Sequence, residues 1–458
     1  MSKHNSSETD MLHGPLVTGI LKFAVPFAAS SILQQMFNSV DVAVVGRFAS
    51  SEALAAVGAN TFLINLFINL FVGISVGANV VISNHIGQND IARIRKAVHA
   101  TMVLALLSGF AMFVTGLVIA APVLKLMGTP ANVFDDSVLY LRIYMCGTPF
   151  FMVYNFGAAI LRSKGDTKRP LYILIVAGLI NTLLNLLFVI VFHMSVEGVA
   201  IATGIANAFS ALAVVILLKK EPEPFTLHWS KHVPDKGEIV RILKIGLPAG
   251  LQSMVFSFSN VFVQTAINGY GSAAVAGAAV SVTFDSYCYF LITAFCGAAI
   301  TFTGQNFGAG NIDRCRRIFK ICMIGGALSC LLGNALFYTQ RDFFLSLFTT
   351  DPQVVHYAVI RMRWVLVFQS LAASYEISAA AMRGMNYSLE PALLTILGTC
   401  VLRLLWVFLV CPVWPGFDRL MYCYPLSWVL TGTMVVACYI ATSRKAYRTL
   451  TSHVVGRQ

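Results

Sequence analysis

A single acidic residue lies within the first long apolar stretch of the chain, in the sequence QQMFNSVDVAVVGRF (residues 34–48). Gln34, Asn38 and Asp41 are spaced i, i+4 and i+7, so a helix presents all three on one face. A carboxylate at membrane depth is costly unless it faces a protein interior or a water-filled cavity. The spacing therefore predicts a functional polar face, with Asp41 on it, that faces the interior of the bundle or a water-filled cavity. The simpler alternative is that Asp41 caps the outer helix end or pairs with Arg47 among lipid headgroups.

Two further acidic residues, Asp285 and Glu376, lie in apolar stretches of the second half. Ionisable residues at such depth are candidates for a functional site by default, and Asp285 is predicted to attract a cation. The structural alternative is charge pairing. Glu376 precedes Arg383 by seven residues, and Arg403, which lies inside an apolar stretch, is the expected internal counter-charge for either acid.

The composition is that of a polytopic membrane protein. Of the 458 residues, 57% are hydrophobic and 11% are charged, with a mean hydropathy of +0.75, whereas a soluble protein carries about a quarter charged residues. The net charge of +12 resides in short loops, which is a topology signal and does not indicate nucleic-acid binding. The ten Cys include no CxxC pair, so we predict no disulfide framework and no metal beyond a possible Na⁺.

Twelve apolar runs are long enough to cross a bilayer, which takes about 20 residues per helix. The polar start, MSKHNSSETDMLHGP, lacks a signal-peptide pattern, so we expect the first run to be a retained helix. Most of the 32 Lys and Arg fall in alternate connections and near both termini, which predicts a multi-pass inner-membrane protein with both termini cytoplasmic. The predicted spans are residues 16–46, 53–83, 97–127, 133–162, 168–192, 195–218, 240–269, 273–303, 315–347, 353–383, 389–412 and 420–442.

The chain contains an internal repeat. LKFAVP, which ends at Pro26, recurs 222 residues later as LKIGLP, which ends at Pro248, and Arg162 recurs as Arg383 at an offset of 221. An even number of spans in each half gives both halves the same orientation, as in transporters built from parallel repeats. We predict an N-terminal lobe over residues 1–218, a cytoplasmic linker over 219–239, a C-terminal lobe over 240–442 and a cytoplasmic tail over 443–458.

Two parallel lobes suit a transporter that works by alternating access. The chain contains no GxxxxGK[ST] motif, so we expect no ATP site of that type and no cofactor, and the energy to come from an ion gradient or from a partner. An intramembrane enzyme is disfavoured because all nine His lie near loops or predicted helix ends. A receptor or a channel is disfavoured by twelve spans in two parallel repeats.

Both halves of the sequence resemble the multidrug and toxic compound extrusion (MATE) family, bacterial type, over residues 14–440. The resemblance rests on FAVPFAASSILQQMFNSVDVAVVGRF, EALAAVGA, AAILRSKGDTKRP, NTLLNLLFVI and GVAIATGIANA. It implies an all-α fold of twelve transmembrane helices in two six-helix lobes that form a V-shaped cleft. It also implies export of organic, often cationic compounds in exchange for H⁺ or Na⁺. We expect small amphipathic substrates, contact with the lipid bilayer and a monomeric protein.

By this resemblance, Asn181 and Asn185 of NTLLNLL and Thr203 surround the Asp41 carboxylate as a proton or cation site. The common family pattern has Asp where this chain has Asn185, so the predicted site has one negative charge fewer, and H⁺ and Na⁺ both stay open. The resemblance also makes Pro26 the point where the first helix bends on protonation. A static kink is the alternative for Pro26, and ordinary interhelical hydrogen bonding is the alternative for the two Asn.

Asn38 is predicted to join the ion site because it shares the helix face of Asp41. The repeat maps Asn38 to Asn260 but Asp41 to Val263, which confines the acidic function of the first helix to the first half. Aromatic faces bind organic cations and Met adapts to varied shapes, although packing is the commoner role of each. The predicted substrate-contacting residues are Gln34, Phe37, Tyr154, Asn155, Met254, Asn260, Asp285, Tyr287 and Glu376.

The main alternative function is a flippase for a lipid-linked oligosaccharide precursor, in the same broad superfamily. Such proteins usually carry more cationic residues in the cleft and sometimes have additional helices. This chain has twelve predicted spans and acidic residues at the presumed cleft. The antiporter is therefore the favoured interpretation.

Overall fold

Long apolar helices make up most of the protein, which we describe from a computed structural model covering residues 9–228 and 235–455. Eleven helices are individually long and apolar enough to cross a membrane, and one bent pair supplies a twelfth span. No strand occurs within the ranges that the structure covers. The predictions of an all-α fold and of twelve spans are therefore confirmed. The first eight residues, residues 229–234 of the predicted linker and residues 456–458 of the predicted tail lie outside the described residues.

The twelve spans begin and end within a few residues of the predicted bounds, with two kinds of exception. The spans α2, α3, α7, α8 and α12 are longer by four to eight residues at one end, and α9 ends at Thr339 where the sequence predicts residue 347. A short helix, Arg341–Ser346, follows α9. The spans are α1 (Leu16–Phe48), α2 (Ser51–Gly87), α3 (Ile91–Leu126), α4 (Ala131–Cys146 with Thr148–Ser163), α5 (Lys168–Val191), α6 (Val196–Lys220), α7 (Lys236–Asn268), α8 (Ser272–Gly308), α9 (Ile312–Thr339), α10 (Pro352–Gly384), α11 (Leu389–Val410) and α12 (Phe417–Leu450).

The two parts of α4 meet at Gly147 and are bent by 43°. Pro149 follows in the first turn of the second part, and proline cannot donate the backbone hydrogen bond that would continue the first helix. A Cβ atom at Gly147 would lie 3.1 Å from Gly204 Cα of α6. Glycine at position 147 therefore lets the bend approach α6 closely.

Three of the spans leave α-helical geometry near polar residues. Single π-helical turns are uncommon and are frequent at functional sites, and the apolar pattern of the sequence does not predict them. Two of the turns in α11 lie on either side of Arg403. The π turns are Leu187–Val191 in α5, Met362–Leu366 in α10, and Ile396–Val401 and Trp406–Val410 in α11, and a 3₁₀ turn follows in α10 at Gln369–Leu371.

The internal repeat extends to the backbone of the connecting turns. Asn89 (φ 55°) ends the α2–α3 turn, and Gly310 (φ 75°) occupies the matching position 221 residues later. Gly165 (φ 93°) and Asn386 (φ 71°) match in the same way before α5 and α11. Positive φ is accessible mainly to Gly and Asn, so one turn geometry explains why these two residue types exchange between the halves.

The helices group into two compact units. One unit comprises Ala29–Gly250, and the other comprises Asp10–Ala28 together with residues 251–455. The chain therefore changes unit inside α1 and inside α7, in each case two residues after the proline of that helix, Pro26 or Pro248. The lobe boundaries at residues 218 and 240 follow the sequence repeat and stay a prediction.

The residues that lead into α7 are fixed to the turn between α2 and α3. His85 Nε2 lies 2.9 Å from Glu238 Oε2, and both residues are buried. Lys96 Nζ lies 3.0 Å from Asp235 Oδ2, and this contact holds the pKa of the Asp235 carboxyl below its usual value. The start of α7 is thereby held to the first unit by one buried hydrogen bond and one ion pair.

The segment before α1 is held in a similar way within the second unit. Asn306 Nδ2 donates a hydrogen bond to Met11 O at 3.0 Å. Arg314 Nη2 donates to Met11 O at 3.1 Å and to Gly14 O at 2.9 Å. Side chains at the end of α8 and the start of α9 therefore hold the segment that enters α1. They bind backbone oxygen atoms, whereas the contacts of the first unit join two side chains.

A buried charge cluster lies at the C-terminal end of α6. Lys164 Nζ and Arg169 Nη1 each lie 2.5 Å from a carboxylate oxygen of Glu221, and Arg169 also pairs with Asp166. Asp166 and Glu221 are buried. Two basic residues that the sequence places in a topology-determining loop are therefore neutralised inside the protein.

Replacing Glu221 by Gln should lower the free energy of unfolding by about 3–5 kcal/mol, because removal of one partner leaves buried charges uncompensated. The measurement is thermal unfolding of the purified protein in detergent. Glu390→Gln is the matched control, since Glu390 is exposed at the start of α11. Equal melting temperatures for the two variants would show that the cluster contributes no stability.

Candidate functional site

Asp41 of α1 is bound by a chain of side chains from α5 and α6. Asn185 Nδ2 donates to Asp41 Oδ1 at 2.5 Å and to Asn181 Oδ1 at 2.8 Å. Asn181 Nδ2 donates in turn to Thr203 Oγ1 at 3.2 Å. Asn181 and Asn185 are buried, whereas Asp41 and Thr203 are half-buried. The structure thus brings together four of the five residues predicted for the ion site.

Local structure explains this arrangement. Asn181 and Asn185 are one turn apart on α5, so their side chains share a face. The π turn Leu187–Val191 begins two residues after Asn185. Thr203 Oγ1 donates to Val199 O one turn earlier at 2.9 Å, which leaves its lone pairs to accept from Asn181. Each polar group is thereby oriented by its own helix before it meets the next one.

The cluster offers oxygen atoms to a proton or to a hard cation. Asp41 supplies the carboxylate, and carboxylate and amide oxygens suit hard cations. Asn185 Oδ1 is buried and has no hydrogen-bond partner among the described residues. An unsatisfied buried acceptor costs about 1–3 kcal/mol, and a proton or cation held by Asp41 would satisfy it.

Asn38 and the other predicted residues of the first unit lie outside this hydrogen-bond chain. Asn38 is exposed and Gln34 is half-buried. Phe37 packs its ring against Gly178 of α5, where a Cβ atom would collide with it. Tyr154 is buried and donates to Pro170 O at 3.0 Å, and Asn155 Nδ2 donates to Phe151 O at 2.9 Å.

Asp285 of α8 is not an unpaired acid. It forms a buried ion pair with Arg361 of α10, and Arg361 Nη1 also donates to Ser281 Oγ at 3.0 Å. Gln369 Nε2, in the 3₁₀ turn of α10, donates to Asp285 O at 2.8 Å. The expected pairing with Arg403 is therefore wrong. Arg361 of α10, and not Arg403 of α11, is the counter-charge of Asp285.

Glu376 of α10 accepts a hydrogen bond from Tyr289 OH of α8 at 2.8 Å. Arg383 instead donates from Nη2 to Gln252 Oε1 of α7 at 2.6 Å. No ion pair joins Glu376 to Arg383 or to Arg403 within the part of the chain that the structure describes. These two expected contacts are therefore wrong.

Arg403 is buried in the middle of α11, and its partners are uncharged. Its Nη1 donates to Asn260 Oδ1 of α7 at 3.1 Å, and its Nε donates to Ser427 Oγ of α12 at 3.2 Å. Tyr424 stacks over the guanidinium, with the ring centroid 4.4 Å from Cζ. Asn260 is thus placed in a cationic cluster. The two remaining predicted substrate contacts, Met254 and Tyr287, are half-buried.

Comparison with known proteins identifies the family. The MatE family model matches the chain twice, over residues 26–187 and 248–409, so that each match begins at the repeated proline. The chain belongs to the MATE family. It is 31% identical to the Probable multidrug resistance protein YoeA of Bacillus subtilis over 388 residues, which cover 82% of each chain.

No metal-ligating group of three or more His, Cys, Asp and Glu occurs among the residues described in this MATE protein.

Solved MATE structures share the fold. One, described as MATE in the bent conformation, has a TM-score of 0.88 and 19% identity and covers 96% of this chain and 98% of its own. Another, described as MATE in the straight conformation, has a TM-score of 0.88 and 20% identity with the same coverage. The expected MATE fold is therefore confirmed.

Sequence reasoning missed Arg361 as the counter-charge of Asp285. The internal repeat carried a usable signal. Asp285 corresponds to Ile64 and Arg361 to Tyr140, so the second half of this MATE protein gains one charge of each sign at positions that are uncharged in the first half. Two opposite charges that appear together in one half are the pattern expected of a buried pair.

The Asp285–Arg361 pair yields a stability prediction. Asp285→Asn should destabilise this MATE protein by about 3–5 kcal/mol, since it leaves Arg361 charged and buried without a counter-charge. The double variant Asp285→Leu with Arg361→Met should melt at a higher temperature than Asp285→Asn, because it removes both charges. A double variant that melts lower than the single one would contradict this account.

Proposed function

We propose that this MATE protein is an antiporter that exports organic compounds, cationic or amphipathic in character, in exchange for H⁺ or Na⁺. The observation that carries the proposal is the Asp41–Asn185–Asn181–Thr203 cluster, a carboxylate held by amide and hydroxyl groups within an apolar helix bundle. Ionisable groups in such surroundings are typical of ion and proton pathways. The multidrug resistance named for the relative YoeA supports the substrate class.

Asn185 is proposed to follow the charge of Asp41. With Asp41 ionised, the amide Nδ2 donates to the carboxylate, as observed. With a proton or Na⁺ on Asp41, the Asn185 amide rotates about its Cβ–Cγ bond. Its Oδ1, which has no partner among the described residues in the observed arrangement, then accepts a hydrogen bond from the protonated carboxyl or coordinates the ion. The two charge states of one carboxylate thus select two arrangements of α5 against α1.

The coupling to transport is proposed to run through α1. This helix belongs to the second unit up to Ala28 and to the first unit from Ala29, and Pro26 lies beside that change. Proline removes a backbone hydrogen bond and makes a helix easier to bend. Bent and straight conformations described for a solved MATE structure support a fold with two states. The ion and the substrate would drive alternating access by favouring different states.

Asn185 bears on the choice of ion. The family pattern with two carboxylates supplies one more negative charge than this site does, and a lone carboxylate among amides suits a proton as well as Na⁺. We place the protein in the inner membrane with both termini cytoplasmic, as a monomer that needs no cofactor. The charge distribution of the loops supports this orientation.

Asp41→Asn is expected to abolish coupled export, because an amide does not take up a proton in this pH range and binds Na⁺ weakly. The measurement is ethidium export from cells that carry the protein at matched expression. Asp135→Asn is the matched control, since Asp135 is exposed in the same unit. Undiminished export by Asp41→Asn would overturn the assignment of Asp41.

The coupling ion is identified in inverted membrane vesicles, with a fluorescent cationic dye added to the outside solution. A proton-coupled protein accumulates dye when the lumen is acidic, and a sodium-coupled one does so when the lumen is high in Na⁺. Either response should disappear in Asp41→Asn. Dye uptake that needs neither gradient would contradict the antiporter.

A further inference from the structure

Arg403 is a buried charge that the proposed ion site does not use. Only 1% of its surface is exposed, and a guanidinium stays protonated in proteins. Two of its nitrogen atoms donate to the uncharged side chains of Asn260 and Ser427. The protein therefore maintains a permanent positive charge within α11.

This charge lacks a protein counter-charge. No carboxylate of residues 9–228 or 235–455 lies within 4.0 Å of its nitrogen atoms, and Nη2 is buried without a hydrogen-bond partner there. The rings of Tyr424 and Phe256, at 4.4 and 5.2 Å from Cζ, compensate part of the desolvation by cation–π attraction. The Nη2 donor is left for an acceptor that the described chain does not provide.

The internal repeat relates the Arg403 cluster to the Asp41 cluster. Arg403 lies on α11, Asn260 on α7 and Tyr424 on α12, which correspond to α5, α1 and α6 of the first half. Those are the helices that carry the Asp41 cluster, and Tyr424 is the repeat partner of Thr203. Equivalent helices of the two halves thus hold a half-buried carboxylate in one case and a buried guanidinium in the other.

The surroundings of Arg403 are suited to a ligand. Asn260, Phe256 and Tyr424, which contact the guanidinium, are half-buried, so part of each side chain reaches the surface of the unit. The π turns Ile396–Val401 and Trp406–Val410 flank Arg403 along α11. Turns of this kind are frequent at binding sites because they reorient side chains and free backbone groups.

We propose that Arg403, with Asn260, Ser427 and Tyr424, binds a single anionic group. A planar guanidinium with free donors recognises a carboxylate best, and a small free anion such as chloride shares that chemistry. If the carboxylate belongs to a substrate, zwitterionic amphiphiles, with a cationic group and a carboxylate, are a preferred substrate class; this interpretation rests on the proposed function. If the anion is free chloride, it is a bound ligand of the second unit.

The test uses two dyes that differ in one negative charge and in the ethyl group that removes it. Rhodamine B is a zwitterion with a free carboxylate, and its ethyl ester is a cation. Binding to purified protein is measured by fluorescence polarisation, and export is measured in cells, for wild type, Arg403→Gln and Arg403→Lys. Arg403→Gln should weaken binding of rhodamine B about tenfold or more and leave its ester unchanged, and Arg403→Lys should retain part of the difference.

Arg363→Gln is the matched control, because Arg363 is exposed on α10 of the same unit and its loss removes the same charge. A second measurement compares melting temperatures in sodium chloride and sodium gluconate at equal ionic strength. A chloride-dependent rise that Arg403→Gln abolishes, with both dyes unaffected, would assign the site to a free anion.

Loss of both dyes to the same extent in Arg403→Gln, without a chloride effect, would overturn the proposal and leave Arg403 with a packing role. Normal binding of rhodamine B by Arg403→Gln, again without a chloride effect, would overturn it as well. A wild-type protein that exports neither dye contradicts the proposed function instead, and the polarisation and melting measurements then decide the anion site independently.

Discussion

A charge inside an apolar helix bundle loses its hydration, and recovering that loss requires partners from neighbouring helices. The helices of this protein are apolar almost throughout, so few buried charges exist and each depends on a specific arrangement of its neighbours. Asp41 depends on α5 and α6, Asp285 on α10, and Arg403 on α7 and α12. Within each unit, the packing of these helices is therefore tied to the charge state and partners of these side chains.

Asp41, Asp285 and Arg403 are compensated by different physical means. Asp41 accepts from an amide that is itself held by a second amide, which leaves its charge open to change. Asp285 is neutralised by the fixed charge of Arg361, and this suits a structural role. Arg403 is compensated by aromatic rings and neutral oxygens, which attract a cation without cancelling its charge. Each arrangement fits a different task, namely exchange, stability and attraction of an anion.

Apolar periodicity and the internal repeat were sufficient to predict the class of fold, the number of spans and most helix bounds, because hydrocarbon thickness dictates helix length. The cluster around Asp41 followed from resemblance and not from spacing, since Asn181 and Thr203 carry no local sign of their partners. The pairing of Asp285 with Arg361 depends on which faces of α8 and α10 meet, and side-chain spacing within a single helix contains no such information. The bend at Gly147 and the π turns of α10 and α11 depend on packing and were equally inaccessible.

The change of unit inside α1 has a consequence for the length of this helix. Asp41 lies thirteen residues beyond Ala28 on the same continuous helix, so its direction around the helix axis depends on the number of residues between them. Each residue turns a helix by about 100°, and one inserted residue between Ala28 and Asp41 would point the carboxylate away from Asn185 while adding only about 1.5 Å of length. The number of residues in this segment is therefore determined by angle and not by membrane thickness, and natural variation in length should be confined to the loops.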